Sequence, residues 1–349
     1  MFSYTIKSII NSVVVLTLVI VLITSIIYSS PIDPTRLTFG QRMDEETVEL
    51  KKKQLGLDLP LRQQILLYLS DISPVAMVSP VRWNDLPFNG RIIISGDKYH
   101  LVIKWPYLRE SFQTGRSVIS ILLLALPNTI ILASLSIIIA ALIGISLGVT
   151  SSLVRGTLWD DLIISFSTLG YSVPSYVSAM FFALIFGYYL RDWTGLNLQG
   201  SLWELDDFGN EKKVWKNILL PCMALAIRPV AVITQLMRNS MNEIMEQPFV
   251  KTLRAKGISR FRLVVKHLIR NALNPIITAL SGWFASLLTG AFFVEYVFSY
   301  KGLGYTTINA LLNFDIPVVL GAILISTVFF IIINITIDFL YRYLDPRIV

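Results

Sequence analysis

The sequence predicts an all-α membrane protein with six transmembrane helices and a mixed extracytoplasmic segment after the first helix. Three observations lead to this fold class. Only 15% of the 349 residues are charged, and the mean hydropathy is +0.63, whereas soluble domains carry about 25% charged residues. Six mostly apolar runs are long enough to cross the hydrocarbon core, which takes about 20 residues. Basic residues concentrate in one loop between two of these runs, as is typical of the cytoplasmic side.

The first apolar run extends roughly over Ile9 to Tyr28. It is longer than the apolar core of a cleaved signal peptide, about 7–15 residues, and no small-residue cleavage site stands ahead of Ser29. We therefore predict that residues 1–29 form a transmembrane anchor helix. Residues 30–116 follow as the extracytoplasmic segment.

Residues 117–349 are predicted to form a core of five further helices. Their runs cover roughly Ser117–Thr150, Leu162–Leu190, Ile218–Met237, Ile276–Phe298 and Pro317–Tyr341. The first of these spans is expected to begin near Pro127, since proline suits a first helical turn. Prolines inside the later spans are tolerated where neighbouring helices satisfy the freed backbone groups, which indicates a packed bundle.

The segment Arg238–Pro275 holds eight basic and two acidic residues, which assigns it to the cytoplasm. Six spans then place both termini in the cytoplasm. The long 30–116 segment falls outside, because long segments translocate largely regardless of charge. The weak point of this topology is the other internal cytoplasmic loop, which contains one basic residue, Arg155, and two acidic residues, Asp160 and Asp161.

Two helices are predicted within the cytoplasmic loop, residues 239–275. Pro248 suits the first position of a short helix, and Gly257 suits its end. Ser259 can cap a second helix that runs from Arg260 to about Asn274, with Pro275 marking the transition into the fifth span. On this second helix, Phe261, Val264, Val265 and Leu268 share one face, and Arg262, Lys266 and Arg270 share the other. The short helix is either a handle for a soluble partner or part of a basic loop that only sets topology.

The stretch Gln247–Pro275, QPFVKTLRAKGISRFRLVVKHLIRNALNP, resembles the conserved cytoplasmic loop of ABC transporter permeases in the dipeptide, oligopeptide and nickel importer family, of the dipeptide permease B type. Similar segments of that family match Leu55–Pro60, Leu126–Thr129, Tyr171–Ser175, Arg238–Met241, Val294–Phe298, Gly302–Gly304 and Asp345–Arg347. The resemblance covers nearly the whole chain. It implies the fold of a type I ABC importer permease.

The resemblance implies a non-catalytic permease subunit of an ATP-driven importer in the bacterial inner membrane. A second homologous permease would complete the peptide path, two ATP-binding cassette ATPase subunits would drive it, and an extracytoplasmic substrate-binding protein would deliver the solute. No cofactor is expected in this chain, because ATP and Mg would be bound by the ATPase subunits. The expected surroundings are the lipid bilayer and no nucleic acid. Nickel or another small solute, and a self-sufficient secondary transporter, stay open as alternatives.

In that family the cytoplasmic loop contains the coupling helix, which docks into a groove on an ATPase subunit. Carried onto this chain, the ATPase-coupling residues are Pro248, Phe249, Val250, Lys251, Thr252, Leu253, Arg254, Ala255, Lys256, Gly257, Arg260, Arg262, Lys266, His267 and Arg270.

Three departures from the family pattern weaken any transfer of substrate identity. Lys301 stands where proline is usual before Gly-Leu-Gly, and Leu253 stands where alanine is usual. About 20 residues within Val75–Gln113 form an apparent insertion that includes the strand-like Arg91–Ser95.

Two charged residues inside the spans are candidates for the translocation path, since intramembrane charges default to functional hypotheses. Arg228 in the fourth span either meets a substrate carboxylate or pairs with a helix carbonyl. Glu295 near the outer end of the fifth span either serves the path or has a structural role. The single cysteine, Cys222, and two distant histidines suggest no catalytic or metal site, and the chain has no phosphate-binding loop.

Overall fold

A computed structural model describes residues 2–28, 58–206 and 208–344 of the chain. The helices are α1 (Phe2–Tyr28), α2 (Leu61–Ile72), α3 (Pro80–Asp85), α4 (Val118–Leu153), α5 (Leu158–Ser172), α6 (Ser175–Phe182), α7 (Arg191–Thr194), α8 (Lys216–Met245), α9 (Pro248–Ala255), α10 (Arg260–Arg262), α11 (Ile269–Gly290), α12 (Phe292–Val297), α13 (Leu303–Leu312) and α14 (Ile316–Leu344). The wider π-helical turns Ala183–Tyr189 and Leu263–Leu268 continue α6 and α10. The strands are β1 (Val75–Val78), β2 (Gly90–Ile94), β3 (His100–Lys104), β4 (Trp203–Leu205) and β5 (Glu211–Lys213).

The described chain divides into two compact units. One contains the described residues within 1–125 and 306–331, and the other contains the described residues within 126–305 and 332–349. The long helices α4 and α14 contribute residues to both units. The second unit contains all of the predicted coupling residues. It also contains the two path candidates, Arg228 and Glu295.

In the first unit, β1, β3 and β2 form an antiparallel sheet in that order, with Val75 opposite Ile103. The strand expected at Arg91–Ser95 is confirmed as β2. Beside the sheet, the buried Asp71 carboxylate accepts hydrogen bonds from Arg82 and Arg109 at 3.0–3.1 Å. Lys104 donates to the Asp71 backbone carbonyl, and burial lowers the pKa of this lysine to about 8. These ionic contacts tie α2, α3 and β3 together.

Three described helices are long and apolar enough to cross a membrane: α4, α8 and the Ile316–Thr336 part of α14. The helical pair Leu158–Ser172 and Ser175–Tyr189 would be a fourth span, bent by 106° at the break that contains Pro174. The structure thus supports a helical membrane protein, while the count of six spans and their orientation stay predictions.

Two predicted helix boundaries are wrong. Helix α4 is continuous from Val118 and contains Pro127 in its interior. Helix α11 contains Pro275 and ends at Gly290, so no break separates the cytoplasmic loop from the fifth span. A proline removes only one backbone donor, and in a 22- or 36-residue helix the remaining hydrogen bonds and packing preserve continuity.

Helices α4 and α8 pack at van der Waals distance through glycines of α4. A Cβ atom added at Gly144 would lie 2.8 Å from Ile233, and one added at Gly148 would lie 2.6 Å from Met237. Small residues at this spacing allow such close approach. The side chains of α8 therefore sit directly on the α4 backbone, next to the cytoplasmic loop.

Candidate functional site

The short helix predicted in the cytoplasmic loop is confirmed as α9. Pro248 occupies its first turn, and Gly257 follows its end with a φ angle of +75°, a conformation that glycine adopts readily. Val250 is 1% exposed and belongs to an apolar cluster with Met241 and Leu268. Because burial of apolar surface stabilises this contact, α9 is seated on the bundle.

The rest of α9 faces solvent and offers a docking surface. Leu253 is half-buried against the same apolar cluster. The exposed members of the predicted coupling set are Pro248, Phe249, Lys251, Thr252, Arg254, Ala255, Lys256 and Gly257. This surface combines one aromatic ring with three positive charges, so it fits a partner with an apolar pocket and acidic residues around it.

The second predicted helix forms, but its buried face differs from the prediction. Leu263, Val264 and Leu268 are buried, whereas Phe261 is 79% exposed and Val265 is 49% exposed. The π-helical turn Leu263–Leu268 brings residues five apart onto one face, so Leu263 is buried together with Leu268, whereas Phe261 precedes this turn. The exposed basic residues on this stretch are Arg260, Arg262, Lys266 and Arg270, and His267 is half-buried.

Ser259 occupies the N-cap position of α10, as predicted, but its side chain makes no capping hydrogen bond. The helix start therefore depends on packing of Leu263 and Val264 rather than on a side-chain cap.

Three polar residues at successive helical turns near the end of α8 join the loop to the corner between α4 and α5. Arg238 donates to both carboxylate oxygens of Asp160, each at 2.7 Å. Ser152 donates to Asn242 at 3.0 Å, and Arg155 pairs with Glu246 at 3.1 Å. We call residues 238, 242 and 246 with their partners the corner clamp.

Asp160 is the best-satisfied member of the corner clamp. It is 1% exposed and also accepts hydrogen bonds from Ser151 at 2.5 Å and from the Gly156 backbone at 3.1 Å. A buried carboxylate held by a bidentate arginine gives both strength and fixed geometry. The sequence prediction missed this role for Asp160, because its partner Arg238 is 78 residues away along the chain.

Glu295 lies in a buried hydrogen-bonded cluster and is 0% exposed. Its carboxylate accepts from Thr129 at 2.7 Å, from the Gly304 backbone at 2.7 Å and from the Tyr305 backbone at 3.1 Å. The two backbone donors belong to the first turn of α13, so Glu295 caps that helix. This geometry favours the structural alternative over a place on the translocation path.

Arg228 has a different environment in the middle of α8. Its guanidinium lies over the Tyr171 ring, 5.3 Å from the centroid. Among the described residues it has no ion pair or hydrogen bond, and its Nε is buried without a partner. The alternative in which Arg228 pairs with a helix carbonyl is therefore wrong for the described structure.

Within the described residues, no group of three or more His, Cys, Asp or Glu side chains is placed to hold a metal ion. Cys222 is buried in the bundle.

Comparison with known proteins identifies relatives along the whole chain. A family model described as "Binding-protein-dependent transport system inner membrane component" matches residues 140–349, and a model for the N-terminal part of such membrane components matches residues 1–133. The di/tripeptide transport system permease protein DppB of Pseudomonas aeruginosa is 30% identical, over 91% of this chain and 90% of that protein. The dipeptide transport system permease protein DppB of Bacillus subtilis is 34% identical, over 64% of this chain and 68% of that protein.

Solved structures support the fold. A chain of the inward-facing MetNI methionine ABC transporter superposes with a TM-score of 0.52 at 16% identity, covering 65% of this chain and 97% of that chain. At this identity the likeness shows the fold of an ABC importer membrane subunit and no more. The family models and the 30% identical relative establish that the chain belongs to the binding-protein-dependent transport system inner membrane component family.

Proposed function

We propose that this chain is the permease subunit of an ATP-driven peptide importer and transmits the work of ATPase subunits through α9. The observation that carries the proposal is the geometry of α9. It is short, exposed on one side, seated by Val250 on the bundle, and positioned between α8 and α11. A rigid helix displayed in this way can be pushed by a partner without folding or unfolding itself.

The peptide substrate is supported by the relatives, several of which are named as dipeptide or peptide permeases. The partners proposed are a second homologous permease, two ATP-binding cassette ATPase subunits and an extracytoplasmic substrate-binding protein. ATP and Mg would reside on the ATPase subunits. In this proposal all six spans cross the inner membrane and both termini lie in the cytoplasm.

The first experiment is affinity purification of the tagged chain from its native membrane, with the recovered proteins identified by mass spectrometry. We expect a second permease and ATPase subunits, and ATP-dependent uptake of a labelled dipeptide when the complex and binding protein are reconstituted in liposomes. A folded chain recovered alone that transports solute by itself would instead support a secondary transporter.

A steric variant tests the role of α9 directly. Ala255 is exposed on α9, so Ala255→Trp should fold normally but obstruct the docking surface. We expect the ATPase subunits to be lost from the purified complex and ATP-dependent uptake to fall with them. The matched control is Ser95→Trp, an exposed position that follows β2. Retention of the ATPase subunits and uptake by Ala255→Trp would refute docking through this surface.

A further inference from the structure

Arg228 carries an unbalanced positive charge in the middle of a membrane-length helix. Helix α8 has 30 residues, and at about 1.5 Å rise per residue Arg228 lies roughly 18 Å from its first residue and 26 Å from its last. A cation at this depth is costly and is kept where it meets an anion or water. Within the described part of the chain, however, no acidic side chain pairs with it.

The guanidinium is held in a defined orientation despite having no counter-ion. The Tyr171 ring lies under it at 5.3 Å, which is cation–π geometry. Its Nε is buried, whereas the two terminal nitrogens are not among the buried unpartnered atoms. The residue as a whole is half-buried, and the paired N–H donors of a guanidinium match the two oxygens of a carboxylate.

Other polar side chains lie along the junction of α5 and α8, which is otherwise largely apolar. Gln235, two turns further along α8, donates to the Thr168 hydroxyl of α5 at 3.2 Å. Gly170 brings the two helices together, since a Cβ atom there would lie 2.9 Å from Ile227. Thr168 and Tyr171 are exposed, so a polar strip extends along the junction of α5 and α8.

The strip lies next to the 106° break between α5 and α6. In membrane transporters, solute sites near the middle of the bilayer are typically built at such discontinuous helices. A lipid phosphate does not fit this position, because half of the hydrocarbon core is about 15 Å thick and Arg228 lies near the middle of its helix. A small solute that moves through the protein is not held at the headgroup layer, so it can reach Arg228.

We propose that the Arg228 guanidinium, stacked on Tyr171, binds a carboxylate of the transported solute during passage. This inference rests on the proposed function and adds its substrate class: solutes with a free carboxylate, such as short peptides with an unblocked C terminus. Tyr171 positions the guanidinium, and Thr168 and Gln235 offer further hydrogen-bonding groups along the same helix junction.

The first test compares Arg228→Gln and Arg228→Lys with the wild type in the reconstituted complex. Loss of a charge-assisted hydrogen bond predicts that Arg228→Gln lowers uptake of a free dipeptide by about tenfold or more, with normal assembly and basal ATP hydrolysis. Arg228→Lys keeps the positive charge but lacks the paired N–H donors of a guanidinium. Its dipeptide uptake should therefore lie between that of the wild type and that of Arg228→Gln. The control is Arg91→Gln, on the exposed strand β2, which should transport normally.

The second test needs no transport. The purified wild-type complex is labelled with phenylglyoxal, which modifies arginine, in excess dialanine or dialanine amide, and the adduct at Arg228 is quantified by mass spectrometry. Protection by the acid and not by the amide is expected. Equal labelling in the acid and in the amide would overturn the carboxylate site. Unchanged uptake by Arg228→Gln would also overturn it. Loss of the second permease from Arg228→Gln would overturn it too, because that result would assign Arg228 to a subunit contact. Wild-type complex that imports no peptide would instead defeat the proposed function, and the labelling result would still decide the carboxylate site.

Discussion

At the scale of single residues, two charges inside predicted spans have opposite environments. Glu295 has three hydrogen-bond donors and no exposed surface, whereas Arg228 has one aromatic ring and no counter-charge. Two sequence motifs meet at Glu295, because the acid of the Val294–Phe298 segment accepts from the backbone of the Gly302–Gly304 segment. The likeness of both segments to the family thus has one physical explanation, a capped helix start.

Replacement of Glu295 is expected to affect stability. In Glu295→Leu, the buried Thr129 hydroxyl and the backbone N–H groups of Gly304 and Tyr305 lose their acceptor, and each buried unpaired group costs about 1–3 kcal/mol. Glu295→Gln keeps one acceptor oxygen and should lose less. Cys222 is the single cysteine and is buried, so the temperature at which its thiol reacts with a fluorogenic maleimide measures unfolding.

We expect this temperature to fall in the order wild type, Glu295→Gln, Glu295→Leu. The opposite pattern, normal thermal stability with abolished uptake in Glu295→Gln, would contradict the structural role and return Glu295 to the translocation path.

The sequence predicted element identity better than it predicted the partners of individual side chains. Hydropathy located the membrane-length helices α4, α8 and α14, and the Pro248 and Gly257 signals located α9, since these depend on local chemistry alone. The role of Asp160 depends on Arg238, which is 78 residues away, and no local pattern reports such a pairing. For the same reason, the sequence left both alternatives open for Arg228 and for Glu295.

At the scale of elements, the π-helical turn Leu263–Leu268 explains why Leu263 is buried on the same face as Leu268. A 3.6-residue repeat places Phe261 and Val265 with Val264 and Leu268. In the structure Leu263 and Leu268 are buried together within the wider turn, while Phe261, which precedes the turn, is exposed. The exposed Phe261 and the exposed Phe249 of α9 add two aromatic rings to the basic surface of the loop, a combination that is enriched at protein interfaces.

The end of α9 is expected to depend on backbone conformation at Gly257. A Cβ atom added there would have no neighbour within 4 Å, so substitution causes no clash and only the φ angle of +75° matters. Gly257→Ala should cost about 1–2 kcal/mol locally, whereas asparagine tolerates this conformation better. In the reconstituted complex, dipeptide uptake should therefore fall more in Gly257→Ala than in Gly257→Asn.

Equal loss of uptake in the alanine and asparagine variants would show that the absence of a side chain, and not the left-handed backbone, is what the loop requires. Equal retention would show that the position of α9 does not depend on its glycine stop.

At the scale of the whole molecule, the position of α9 is fixed by more than the two helices that flank it. Val250 seats it on the apolar cluster, and the corner clamp joins the end of α8 to the α4–α5 corner. At Gly144 and Gly148, α4 packs closely against α8. A displacement of α9 would therefore move α4, α5 and α8 together. Helix α5 carries Tyr171 and α8 carries Arg228, so the same movement would reach the proposed carboxylate site.

Arg238→Lys tests whether the corner clamp transmits this movement. Lysine keeps the positive charge beside Asp160 but cannot reproduce the two parallel hydrogen bonds at 2.7 Å. Because Asp160 is buried, a loosened pair leaves part of the Asp160 charge without hydrogen bonds. The exposed Arg155–Glu246 pair, in contrast, contributes little to stability. Arg155→Lys is thus the matched control. We expect Arg238→Lys to assemble and hydrolyse ATP while importing fewer peptides per ATP, and Arg155→Lys to keep the wild-type ratio. If both variants keep that ratio, the clamp only stabilises the fold, and transmission from α9 must run through α8 and α11 alone.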